Sequence, residues 1–181
     1  DFPMPYSNLT VNGAAPSTND AGIFECTGGD ATTQLIGPYV RISDSCGAVS
    51  ESTTCDEDLD LGAGVAGATN CTVAAGESAG NTHASRSAFY TIKEKARHWL
   101  PSNAWLQGQV QVNVNVNSTC NATWGGQLNM YRAGSGCRNT AETAGVLNHE
   151  FGHGLDQNDG GGYDNTSEAY ADVVAILSDR K

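Results

Sequence analysis

Two histidines four residues apart, with a glutamate beside the first, are the residues in this chain best placed to do chemistry: His149-Glu150-Phe151-Gly152-His153. On a helix, positions four apart lie on one face about one turn apart, so both imidazoles reach a single ion. An ion held there acidifies water, and Glu150 stands beside it to take the proton. The pattern is the HExxH arrangement, and its donor types suit zinc.

A catalytic zinc site takes three protein ligands and keeps a position for water, so a third ligand is required. Three downstream carboxylates compete. Asp159 follows His153 by six residues, the spacing of HExxHxxGxxH/D enzymes. However, Asp156 stands where that pattern needs a glycine, and no methionine follows to form a Met-turn. Asp164 has no supporting pattern. Glu168 belongs to the stretch Glu168-Ala169-Tyr170-Ala171-Asp172, where a Glu and an Asp four apart share a helix face. Glu168 can then bind the ion while Asp172 accepts the second ring N–H of His149 and fixes its tautomer. We take Glu168 as the third ligand and Asp159 as its rival.

The elements that must position these groups lie mostly in the second half. Ala144, Leu147, Phe151 and Leu155 form an apolar stripe that predicts a helix over 141–156, with the two histidines projecting away from it. A final helix is predicted over 167–178. Upstream, Phe89, Ile92, Ala96 and Trp99 recur at helical spacing over 82–100, with Asn81 or Thr82 as cap and Pro101 as stop. His83 and His98, at the ends of that helix, read as capping or surface residues. Residues 109–117 read QVQVNVNVN, the strict alternation of a half-buried strand, and 127–131 follows a Gly-Gly turn as a second strand. Residues 1–81, rich in Gly, Ser, Thr, Asn and Asp, offer only short strands such as 35–42. The expected class is α+β, one lobe over 1–181, with a small twisted mixed sheet, a backing helix and two ligand-bearing helices.

Composition excludes more than it identifies. The chain has 181 residues, with 9 Lys+Arg against 20 Asp+Glu and a formal charge of −11. That balance argues against nucleic acid or an anionic membrane as partner, and no run is long and apolar enough to span a bilayer. The acidic run at 56–60 makes calcium a second candidate ion, although a solvated turn explains it as well. Six cysteines without a CxxC pair suit a disulfide framework in an oxidising, extracellular compartment. Cys120 and Cys137, flanking a short strand-and-loop segment, are the one pairing the sequence suggests. Sequons start at Asn8, Asn70, Asn117, Asn121 and Asn165, and the start at Asp1 matches a secreted protein whose leader or propeptide has been removed.

HExxH followed by a separate helix bearing ExxxD resembles the gluzincins, the thermolysin-like and related zinc metallopeptidases. Asn121-Ala122-Thr123-Trp124 resembles their edge-strand segment Asn-Ala-x-aromatic, and the 82–100 helix falls where they place a backing helix. The resemblance covers about 82–178 and implies a secreted endopeptidase that binds peptide or protein substrate in extended form. Asn121, Ala122 and Trp124 would then contact substrate, with the Asn121 sequon unused. Tyr163, between the second His and the Glu, would face the oxyanion, although a tyrosine in a GGGYDN loop is equally a plain loop residue. Two features depart from the pattern. Glu168 follows His153 by only 15 residues, and the sequence stops at Lys181, where thermolysin-like enzymes continue into a second, mostly helical lobe with an oxyanion-binding His. A second lobe or companion chain is therefore an expected partner. The rival to catalysis is an extracellular structural protein stapled by zinc.

Overall fold

The computed structural model describes residues 3–55, 57–58, 71, 79–162 and 167–179, with side chains omitted over 79–87. Twelve elements follow one another within it. Strands β1 (Leu9–Val11), β2 (Asp30–Thr33), β3 (Val40–Asp44) and β4 (Glu51–Thr54) come first. Helix α1 (Ala79–Trp99) and a short helix α2 (Ala104–Gln107) follow. Strands β5 (Val110–Val116), β6 (Ala122–Trp124) and β7 (Leu128–Tyr131) precede a 3-10 turn at Thr140–Glu142, α3 (Ala144–Asn158) and α4 (Ser167–Asp179). The α+β class expected from sequence is what is found.

Two sheets result. The larger has the order β3-β5-β7-β6; β3, β5 and β7 run parallel, and β6 closes one edge antiparallel. A parallel sheet needs cover, and α1 and α3 supply it with one continuous core. Val110, Val112, Val114, Leu128 and Met130 from the sheet meet Phe89, Ile92 and Ala96 of α1 and Leu147, Phe151 and Leu155 of α3. The smaller sheet, β1-β2-β4, is wholly antiparallel and buries Leu9, Val11 and Ala31. Cysteines pair as Cys26–Cys55, Cys46–Cys71 and Cys120–Cys137, the last as anticipated.

Several expectations need correction. The alternation of β5 breaks at Asn115, which adopts φ 53° and turns its side chain inward, while Val116 becomes half-exposed. A register shift against β7 between Asn113 and Val116 is the cause: a bulge moves every later side chain to the opposite face. Asn115 is satisfied there, donating to Asp44 Oδ1 and accepting from Asn139. The 35–42 strand begins only at Val40, because Leu35 takes φ 56° and ends the extended run before it. Helix α1 runs over Ala79–Trp99, so Asn81 and Thr82 lie inside it rather than before it. Trp99 is 42 % exposed, a last-turn residue outside the core stripe. The acidic run lies mostly outside the described residues, as do the sequons at Asn70 and Asn165.

Candidate metal centre

Helices α3 and α4 build the centre between them. Gly152 makes their contact possible: a Cβ there would lie 2.6 Å from Ala171 Cα and 3.0 Å from its carbonyl oxygen, closer than packed atoms allow. With a hydrogen in that place, the α4 backbone rests directly on α3. One turn before the contact and directly after it, His149 and His153 of α3 face Glu168 and Asp172 of α4.

The two Nε2 atoms are 3.1 Å apart. Glu168 Oε2 lies 3.2 Å from His149 Nε2, and Oε1 lies 3.6 Å from His153 Nε2. Each ring is held from behind. His149 Nδ1 is 2.9 Å from Asp172 Oδ1, and His153 Nδ1 is 2.9 Å from Ser167 Oγ. A carboxylate can only accept, so Nδ1 of His149 carries the proton and Nε2 presents its lone pair. The Ser167 hydroxyl, able to donate or accept, holds His153 Nδ1 from the same side. The two imidazole Nε2 atoms and the Glu168 carboxylate thus converge on one space. His149, His153 and Glu168 form a group that could hold a metal ion.

Glu150 approaches the same space from α3. It is 7 % exposed, and burial pushes its carboxyl above the ordinary Glu range. The two imidazoles and the backbone N–H of Trp124, which donates to it, pull the other way; Glu168 adds a smaller upward push. An open cleft of about 310 Å³ is lined by Asn121, Ala122, Thr123 and Trp124 on one side and His149, Glu150, His153 and Glu168 on the other. Glu168 is 81 % exposed within it.

The sequence-derived site residues that the structure describes each have a definite place. Asp172 and Glu168 stand where expected. Asp159, the rival ligand, instead ends α3, accepting from Gly161 N at 2.7 Å and from the Tyr170 hydroxyl. Asn121 and Ala122 line the cleft, and β6 is an edge strand. Trp124 combines a cleft position with packing contacts. It lines the cleft, yet its ring packs edge-on against Trp105 and over Gly154, and its Nε1 donates to Gln157 at 2.7 Å. His98 is exposed near Glu94, as anticipated. Tyr163 and Asp164 lie outside the described residues, and so does the side chain of His83.

Sequence reasoning missed four positioning residues. Ser167 has a faint signal, being a hydroxyl just before Glu168 at a helix start. Gly152 and Gly154 sit in plain view inside and after the motif, but only the neighbouring helix and tryptophans reveal why they are small. Gln157 has no sequence signal. No family model, curated protein or solved structure matches the chain.

Proposed function

We propose that this chain is a gluzincin-type zinc endopeptidase lobe that hydrolyses internal peptide bonds of secreted or extracellular substrates. The convergence of His149, His153 and Glu168 carries the reading. Ligands bonded to a tetrahedral zinc stand about 3.3–3.4 Å from one another; the two Nε2 atoms at 3.1 Å and His149 Nε2 to Glu168 Oε2 at 3.2 Å come near that edge, while the other carboxylate oxygen, Oε1, lies 3.6 Å from His153 Nε2. Three protein donors opening onto a cleft also match a catalytic rather than a structural site, which is closed by four. Zinc bound there would polarise a carbonyl oxygen and acidify water.

The chain's own residues supply the remainder. Glu150, buried and flanked by both imidazoles, takes the proton from the attacking water. The water oxygen adds to the carbonyl carbon; as the C–N bond breaks, Glu150 returns the proton to the departing amine. Burial favours its protonated form, which suits the second of these tasks. Along a strand, backbone groups point to opposite edges at alternate residues. Because Trp124 N–H leaves the free edge of β6 toward Glu150, the N–H and C=O of Ala122 leave by that edge too. An extended peptide can pair with them by strand addition, with the Asn121 side chain beside it. The three disulfides accord with an oxidising, extracellular setting.

Casein hydrolysis by zinc-loaded protein, with and without chelator, tests the reading. Glu150→Gln should keep its zinc and lose at least 100-fold in rate, of the order expected for a general acid–base. Glu168→Gln should lose zinc where Asp159→Asn keeps it. A wild type that holds zinc and cleaves nothing would leave the structural-zinc alternative standing.

A further inference from the structure

Gln157 lies in the last turn of α3 and is exposed, a position with no part in the core. Its Oε1 nevertheless accepts a hydrogen bond of 2.7 Å from the Trp124 indole Nε1, 33 residues away in sequence, and so joins α3 to β6. Strand β6 needs such a tie. It has three residues and one sheet neighbour, β7. Cys120 precedes it at φ 62°, and a turn whose Gly126 takes φ 82° follows it. Its other edge is free, and its residues form one wall of the cleft. The Trp124 ring lies over α3 at Gly154, where a Cβ would come within 2.9 Å of Cη2 and 3.0 Å of Cζ3, and it meets Trp105 edge-on at 5.7 Å. Trp105 is referenced to the same end of α3. Asn103, which caps the short helix of Trp105 by accepting from Leu106 N, also donates to Asn158 O at 2.7 Å. Ring contacts let an indole slide and tilt, whereas the bond to Gln157 has a direction.

We propose that Gln157 is a positioning residue for the cleft: through the Trp124 indole it fixes how far the free edge of β6 stands from α3, and hence how an extended peptide fits between them. The inference rests on the peptidase reading, which supplies the peptide. A chain laid along β6 by strand addition takes its register from that strand's backbone. Its scissile carbonyl must meanwhile reach the space between His149, His153 and Glu168 on the opposite wall. The two walls belong to different elements, so a contact between them has to set their separation. An error of about 1 Å in such a distance can cost about 100-fold in rate. Gln157 stands outside the residues that line the cleft and acts through Trp124. Its effect should therefore grow with the length of peptide lying along β6. Metal binding should be untouched, because His149, His153 and Glu168 are carried by α3 and α4.

The test uses the full zinc-loaded chain and two blocked substrates, an alanine-rich hexapeptide long enough to pair along β6 and a dipeptide too short to do so. Gln157→Met keeps the length of the side chain and removes the acceptor, whereas Gln157→Glu keeps an acceptor oxygen. For Gln157→Met, kcat/KM on the hexapeptide should fall about tenfold, the scale of one hydrogen bond, mostly through KM, and on the dipeptide less than about twofold. Gln157→Glu should restore hexapeptide hydrolysis, and both variants should keep the zinc stoichiometry of wild type. In heteronuclear NMR the Trp124 indole proton, assigned by its loss in Trp124→Phe, should shift upfield in Gln157→Met and not in Gln157→Glu. A hexapeptide rate unchanged in Gln157→Met would overturn the role. So would an equal loss on both peptides, which marks a general weakening of the fold, or an indole signal identical in wild type and Gln157→Met. A wild type that cleaves neither peptide would overturn the peptidase reading and this role together, a result distinct from a cleaving wild type that is indifferent to Gln157.

Discussion

The three-stranded sheet β1-β2-β4 buries Leu9, Val11 and Ala31, whereas the α3–α4 pair lies over a core that runs through α1 and the four-stranded sheet. The first region has too little apolar surface to hold itself, and Cys26–Cys55 closes the loop that carries β2 and β4. In the second, α3 and α4 themselves carry no cysteine and are positioned by contact: Gly152 against Ala171, Gly154 against Trp105 and Trp124, Phe151 against Phe89. Chemistry collects in the second region because donor atoms must be placed to tenths of an ångström. Close packing of regular elements does that, while a covalent brace only limits how far loops wander.

Breaking the brace should therefore cost stability without disturbing the centre. For Cys26→Ser with Cys55→Ser, restoring freedom to a 29-residue separation predicts a loss of roughly 3–4 kcal/mol. Urea unfolding should register that loss, while zinc stoichiometry of the folded fraction stays at that of wild type. A matching fall in zinc affinity would mean the two regions are not mechanically separate.

The same contrast decides what the sequence could reveal. His149, His153, Glu168 and Asp172 were legible because helical periodicity converts spacing directly into shared faces, and α3 and α4 are long enough to enforce it. The valines of 110–114 were legible for the analogous reason in a strand. Asn115 was not, since a bulge is a property of two strands and cannot be seen in one. Nor was the β1-β2-β4 sheet, whose members are three or four residues each and pair across long loops. Ser167 and Gln157 were hidden because each acts on a partner from another element. Cys120–Cys137 could be anticipated from proximity in sequence, whereas the other two pairings depend on a fold that composition does not specify.

A single methyl group should do to the second region what two cysteines cannot. Gly152→Ala puts a Cβ into the backbone of Ala171, so α4 must retreat and carry Glu168 and Asp172 with it. Overpacking of this kind costs about 1–3 kcal/mol in stability. The sharper readout is zinc affinity, expected to fall about 10- to 100-fold, the scale seen when a ligand's supporting contacts are lost. Gly145→Ala, where the nearest atom to a new Cβ is 4.0 Å away, serves as the control and should leave affinity unchanged. Equal zinc binding in Gly152→Ala and Gly145→Ala would show that α4 can be displaced without moving the ligand.

Packing that places donors also traps charge, and Lys93 measures how rigid the second region is. It is 1 % exposed on α1, with Nζ 4.8 Å from the centroid of Trp105, the ring that in turn touches Trp124 of β6 and Phe151 of α3. Burial first, and the nearby Arg97 charge second, lower its pKa to about 7 from 10.5. Between those values the unfolded chain binds more protons than the folded one, so stability should rise with pH across that window. Below about pH 7 both states are protonated and the cost of the buried charge is present in full. Lys93→Met should accordingly stabilise the protein by on the order of 1 kcal/mol at pH 6, offset in part by loss of the contact with Trp105, and flatten the rise toward pH 9. Urea midpoints at the two pH values measure both. If the mutant keeps the wild-type pH dependence, the core around Trp105 opens to water easily enough to solvate an ammonium, and contact packing alone does not account for the placement of the site above it.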